Sequence, residues 1–198
     1  DISDQKRARQ EIEERNAQME EDLSLAREFQ QAFIQRAYPV FPPGVDPDES
    51  ILELSHIYLP SGAVGGDFFE VFSVSEHRVG VFISDVMGHG VRSALVVATI
   101  RGLIEELGPE RLNPSAFLSH MNRDLTRIIK HHGHVTFATA FYMVLNLTDG
   151  KIEFASAGHP SPFLLSAATQ TVSEIVPDEG KQGPALGIFS ATAYETTT

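Results

Sequence analysis

The stretch from Ser61 to Gly90 constrains the fold more than any other part of the chain. It reads SGAVGGDFFEVF, then SVSEHR, then VGVFISDVMGHG. Two strand-like runs, Phe68 to Val74 and Arg78 to Asp85, flank Ser75-Glu76-His77 and predict an antiparallel hairpin. Each run carries a carboxylate where it meets a glycine-rich turn: Asp67 after Gly65-Gly66, and Asp85 before Met87-Gly88-His89-Gly90. Both lie at the same end of the hairpin, so pairing the strands brings Asp67 and Asp85 near each other. Glycines let the backbone turn sharply and leave room for an ion and its waters. Carboxylates, carbonyls and water are the ligands Mg²⁺ and Mn²⁺ prefer. A single Asp at a strand end is ordinarily a turn former or helix cap. It is the pair that carries the metal reading.

Before this hairpin, residues 1 to 37 hold no Gly or Pro and predict one strongly charged helix. Ile12, Asn16, Met19, Leu23, Ala26, Gln30, Phe33 and Ala37 recur at alternating four and three, the spacing of a coiled-coil seam. Leu25, Phe29 and Phe33 share a second face that could dock on the following domain. A solvated helix with one buried face and a parallel dimer linker both fit, and the heptad spacing favours the linker. Pro39, Pro42, Pro43, Gly44 and Pro47 end the helix and form a stiff connector. Ile51 to Leu59 reads as a first strand, with His56 as a half-buried structural residue.

After Gly90 the pattern turns helical. Val91 to Leu107 stops at Gly108-Pro109; Asn113 then caps a second helix with Pro114 at its first position. Phe117, Leu118, Met121, Leu125, Ile128 and Ile129 form the buried stripe of that second helix. Its end, Lys130-His131-His132-Gly133-His134, needs no metal, because cations and glycine suit a helix C-terminus. Phe137 to Leu147 and Lys151 to Ala157 predict two strands around the turn Thr148-Asp149-Gly150. Phe163 to Ser166 and Thr171 to Val176 predict another hairpin, and Gly183 to Ile188 leads towards a further strand.

Composition narrows the function. The 198 residues suffice for one domain with a substantial core and an extra element. With 42% apolar and 21% charged residues, the chain is one that folds. A net charge of −12 argues against non-specific binding to nucleic acid or anionic lipid. The absence of cysteine removes disulfides, thiolate nucleophiles and Cys-ligated zinc, and fits a reducing, cytoplasmic setting. No run approaches the ~20 apolar residues of a membrane span.

The segments SGAVGGDFFEVF, FISDVMGHGVRSALVVA, TAFYMVLNLTDGKIEFASAGHPSPFLL and GPALGI, in that order, resemble the bacterial SpoIIE/RsbU-type branch of the metal-dependent (PPM, protein phosphatase 2C-like) serine/threonine phosphatases. The resemblance spans roughly residues 50 to 190. It implies an α+β fold, an αββα sandwich of two mainly antiparallel sheets flanked by helices and preceded by the long N-terminal helix. The expected organisation is a helical linker over 1–38, a Pro-rich connector over 39–50 and a phosphatase domain over 51–198. Two Mn²⁺ or Mg²⁺ ions would lie between the sheets, with Asp67 and Asp85 as ligands, Asp85 bridging both ions, and the Val86 backbone carbonyl contributing. His159, in Ala157-Gly158-His159-Pro160, would brace a loop. The family has a metal-binding Thr-Asp-Gly, but later in the chain, so Asp149 reads as a hairpin residue.

The implied reaction is hydrolysis of a phosphoserine or phosphothreonine by metal-activated water. The implied substrate is a phosphorylated anti-anti-sigma regulator of the STAS type, whose dephosphorylation frees a sigma factor by partner switching. The two helices after Gly90 would couple a homodimeric linker to metal binding. Asp1 to Lys6 is similar to the signature that ends PAS sensor domains, and Asp22 to Phe33 to the helix preceding these phosphatases. The family's further acidic ligands follow the Gly-x-x-Leu-Gly-Ile segment, where this sequence offers only Glu195. The expectation is therefore a fragment whose natural protein continues. The alternative is a catalytically inactive, phosphatase-like module that dimerises and binds a regulator.

Overall fold

A computed structural model describes residues 2–34, 37–60, 62–129 and 136–198. The gap-free N-terminal run forms one helix, α1 (Ile2–Ile34). The hairpin expected around the two aspartates forms as β1 (Asp67–Ser75) and β2 (Arg78–Val86). Two helices follow, α2 (Val91–Glu106) and α3 (Pro114–Ile129). Next come β3 (Ala138–Asn146) and β4 (Ile152–Ala157), then β5 (Phe163–Ser166) and β6 (Thr171–Glu174). The first four strands form an antiparallel meander in the order β1-β2-β3-β4, and β5 with β6 makes a separate two-stranded antiparallel sheet. The α+β class, with antiparallel sheets and a leading helix, is the one the sequence implied.

Strand alternation decides which face is buried. Phe68, Phe82, Val86, Ala138, Ala140, Tyr142 and Val144 lie beneath α2 and α3, which contribute Val97, Ile100, Ile104, Phe117, Leu118, Met121 and Leu125 to the same core. The Phe117 and Tyr142 rings stack at 3.7 Å between centroids. Tyr142 keeps its hydroxyl satisfied by donating to the Arg111 carbonyl at 2.6 Å. Gly80 is required there: a Cβ would come within 2.7 Å of the Tyr142 hydroxyl. At the start of α3, Asn113 Oδ1 accepts from the Ala116 N–H at 3.0 Å, the cap the sequence predicts. Arg101 of α2 is buried and pairs with Glu70 of β1 at 3.4 Å and with Glu105 one turn on.

Four expectations are corrected. Ile51 to Leu59 joins no ladder. Alternation alone cannot make a strand without a partner, and Ile57 and Leu59 stay 88% and 85% exposed. His56, expected half-buried, is exposed; its Nδ1 meets the Tyr38 hydroxyl at 2.6 Å and its ring lies 4.8 Å from that of Phe69. No strand forms beyond Gly183 to Ile188: the C-terminal segment is tied to the sheet by single bridges, Ala157 to Gly183, Ala138 to Leu186 and Phe154 to Thr197. Finally, the faces of α1 do not divide as expected near its C-terminal end. Gln30 of the presumed seam is buried against the domain, while Leu25 and Phe29 of the presumed docking face are exposed. The helix closes on the domain through a polar contact, which an apolar pattern does not register. The run from Lys130 to His134 lies outside the described residues.

Candidate metal centre

Register places the two aspartates. Asp67 of β1 is the direct cross-strand partner of Asp85 of β2, and Asp85 is in turn opposite Thr139 of β3. Both carboxylates are exposed, on the side of the sheet away from the Phe68, Phe82 and Val86 core. Like charges directly opposite on neighbouring strands destabilise a sheet. The Asp85 carboxyl accordingly titrates above the usual carboxylate range, first through partial loss of water around it and then through the charge of Asp67.

The backbone beside them is packed closely. The Val86 N–H donates to the Gly66 carbonyl at 3.1 Å. A Cβ on Gly66 would stand 2.5 Å from the Val86 carbonyl oxygen and 3.4 Å from that of Gly88, so only glycine fits. The Val86 and Gly88 carbonyl oxygens thus crowd the Gly66 turn, which adjoins the Asp67–Asp85 pair along the chain. Carboxylates and carbonyls are oxygen donors of the kind that suits Mg²⁺ or Mn²⁺ rather than a thiophilic metal. Among the described residues no cluster of three or more His, Cys, Asp or Glu side chains has metal-holding geometry. Glu195 is exposed, and Asp178 pairs with Lys181 at 2.6 Å.

The meander also delivers a residue the sequence read only as a loop brace. β4 runs back to the end of the sheet where Asp67 and Asp85 lie, and the turn after it carries His159. Its Nδ1 lies 2.8 Å from the Thr139 hydroxyl. Burial holds the imidazole below the usual histidine value, while Asp85 and Asp67 pull it back up. His159 therefore braces the loop and also faces the carboxylates. Tyr58, Phe69, Ile83 and His159 join Asp67 in lining a cleft of about 320 Å³. The Tyr58 hydroxyl reaches towards the Asp67 carbonyl at 3.4 Å. Asp149 sits beyond the opposite end of β3, where its Oδ1 accepts from the Lys151 N–H at 3.0 Å. It is a hairpin residue, as the sequence indicated.

Comparison with known proteins places the chain in a family. The profile of the Stage II sporulation protein E (SpoIIE) family matches residues 75–198, a span that includes Asp85 but begins after Asp67. The phosphoserine phosphatase RsbP of Bacillus subtilis is 28% identical over 110 residues, 55% of this chain and 27% of RsbP. The phosphoserine phosphatase RsbU of the same organism is 28% identical over 149 residues, 75% of this chain and 42% of RsbU. The chain therefore spans less than half the length of either relative. Among solved structures, the SiaA-PP2C domain of Pseudomonas aeruginosa aligns with a TM-score of 0.62 at 21% identity, covering 92% of this chain and 67% of that one. At that identity the likeness concerns the fold.

Proposed function

The chain belongs to the SpoIIE family, and from that premise we propose that it is the catalytic part of a metal-dependent phosphoprotein phosphatase acting on phosphoserine or phosphothreonine. One observation carries the reading: Asp67 and Asp85 face each other in strict cross-strand register. A fold has no structural use for that pairing, and a divalent cation relieves it. Asp67, Asp85 and the Val86 carbonyl would hold Mn²⁺ or Mg²⁺. Such an ion, when bound, supplies Lewis acidity towards phosphate oxygens and lowers the pKa of a coordinated water.

The chain's own residues supply position and environment. Asp85 and Asp67 would hold the cation from neighbouring strands, while Gly66 leaves room for the close approach of the Val86 carbonyl. His159 lies beside the pair and is held in place by its contact with the Thr139 hydroxyl. The chain has no cysteine nucleophile. The cleft beside Asp67 is walled by Tyr58, Phe69 and Ile83, which offers a seryl or threonyl phosphate an apolar wall next to the donor set.

The substrate proposed is a phosphorylated protein regulator of the STAS type in a partner-switching pathway, consistent with relatives named phosphoserine phosphatases. Two copies would associate through the exposed N-terminal part of α1, where Ile12 and Met19 are 58% and 62% exposed. A cytoplasmic setting is part of the same proposal; among the described residues no helix is long and apolar enough to cross a membrane. A second reading, a dimerising module that binds the regulator without hydrolysing it, draws support from the two-carboxylate donor set. Release of phosphate from a phosphorylated STAS protein separates them: Mn²⁺-dependent turnover supports the enzyme, and tight binding without turnover supports the module.

A further inference from the structure

α1 reaches the site itself. Gln30 lies near the C-terminal end of this helix and is only 6% exposed, although residues 27–29 before it are open to solvent. Its Nε2 donates to the Gly65 carbonyl at 2.8 Å, and its Oε1 accepts from the Gly65 N–H at 2.9 Å. Gly65 lies outside the β1 ladder. One side-chain amide therefore takes both the donor and the acceptor of a backbone residue that lacks a strand partner, as a neighbouring strand would. The geometry leaves no slack around this contact. A Cβ on Gly65 would come within 2.9 Å of the Tyr58 hydroxyl. The adjoining Gly66 is locked to Val86 by its hydrogen bond and by the close approach of the Val86 carbonyl. Asp67 follows Gly66 directly, and Asp85 immediately precedes Val86.

We propose that Gln30 is a positioning residue for the metal centre. Its amide fixes the Gly65–Gly66 backbone in the conformation that sets Asp67 opposite Asp85 with the Val86 carbonyl beside them. This deepens the reading above and rests on it. Without the amide, a buried N–H and carbonyl lose their partners, and the loop must shift to find water. Asp67, one residue further on, moves with it. Partners that orient metal ligands from behind govern affinity without touching the ion.

The competing explanation is that Gln30 merely docks α1. Phe29 provides the control, because it lines the groove between α1 and α2 with Val91, Ala94 and Leu95 and forms none of the Gly65 contacts. The test uses the full-length protein with Gln30→Met, Gln30→Ala, Phe29→Ala and Asp67→Asn. Amide hydrogen exchange is measured without metal, and Mn²⁺ binding by titration calorimetry. The proposal predicts faster exchange confined to residues 62–67 in both Gln30 variants, with Mn²⁺ affinity about tenfold weaker or more. Phe29→Ala should leave both unchanged. Wild-type exchange and affinity in the Gln30 variants would overturn it, as would acceleration spread through the whole domain, the mark of a purely structural role. Mn²⁺ affinity untouched by Asp67→Asn would instead overturn the metal reading and this proposal with it. The exchange data would then show separately whether Gln30 holds the loop.

Discussion

Asp85 shows the logic of the site at the scale of one residue. Its carboxyl is raised in the fold by lost hydration and by Asp67, so its ionised form weakens the metal-free protein. Asp85→Asn should therefore melt no lower than wild type at pH 7 without metal. Any advantage should be present above the raised value and fade as the pH falls towards the ordinary 3.8. The same variant should lose about 100-fold or more in Mn²⁺-dependent turnover, beyond what orienting groups alone contribute. Thermal melts across pH, paired with phosphate release, check both halves. Asp67 and Asp85 were legible in the sequence because the hairpin fixes their relation locally, through strand period and one short turn. The approach of His159 was not, because it depends on the direction of β4, two strands and two helices later. Counting an antiparallel meander would have placed the turns before β3 and after β4 at the same end as both aspartates. That signal needs the strand order, which local pattern does not supply.

The elements follow the same division between local and distant causes. α2, α3, β3 and β4 appear where periodicity and caps put them, because Asn113-Pro114 and Asp149-Gly150 act on their immediate neighbours. The Ile51 to Leu59 strand and the burial of Gln30 were misread, because each depends on a partner far along the chain. In α3, the Phe117 ring stacks on Tyr142 and lies 5.6 Å from Phe82. Phe117→Ala should cost about 3–5 kcal/mol in denaturant unfolding, with the cavity left under α3 as the cause. Asp124 of α3 titrates below the usual value, first through its hydrogen bond from Arg123 and further through Arg123, His120 and Arg127. Its stabilising effect is present above the ordinary 3.8 and is lost as the pH falls through the lowered folded value. Asp124→Asn should thus lose under about 1 kcal/mol at pH 7. The difference from wild type should close in acid, as measured by unfolding at both pH values.

For the whole molecule, α1 has a free part and a docked part. Its N-terminal part displays Ile12 and Met19, while Gln30 is buried against Gly65. If two copies pair through the heptad seam, Ile12→Glu with Met19→Glu should give a monomer by analytical ultracentrifugation and leave Mn²⁺ affinity unchanged. The helix was legible in the sequence pattern; the docking of its C-terminal end was not, since it occurs at a polar side chain, Gln30. The overall charge of −12 does not oppose cation binding at a surface that already sets two carboxylates together. The measurement that most directly tests the account is Mn²⁺-dependent phosphate release from a phosphoserine substrate by the full-length protein and by Asp85→Asn. The account predicts turnover that needs the metal and disappears in the variant while its fold persists. Equal turnover in the two proteins, or turnover indifferent to Mn²⁺, would contradict it.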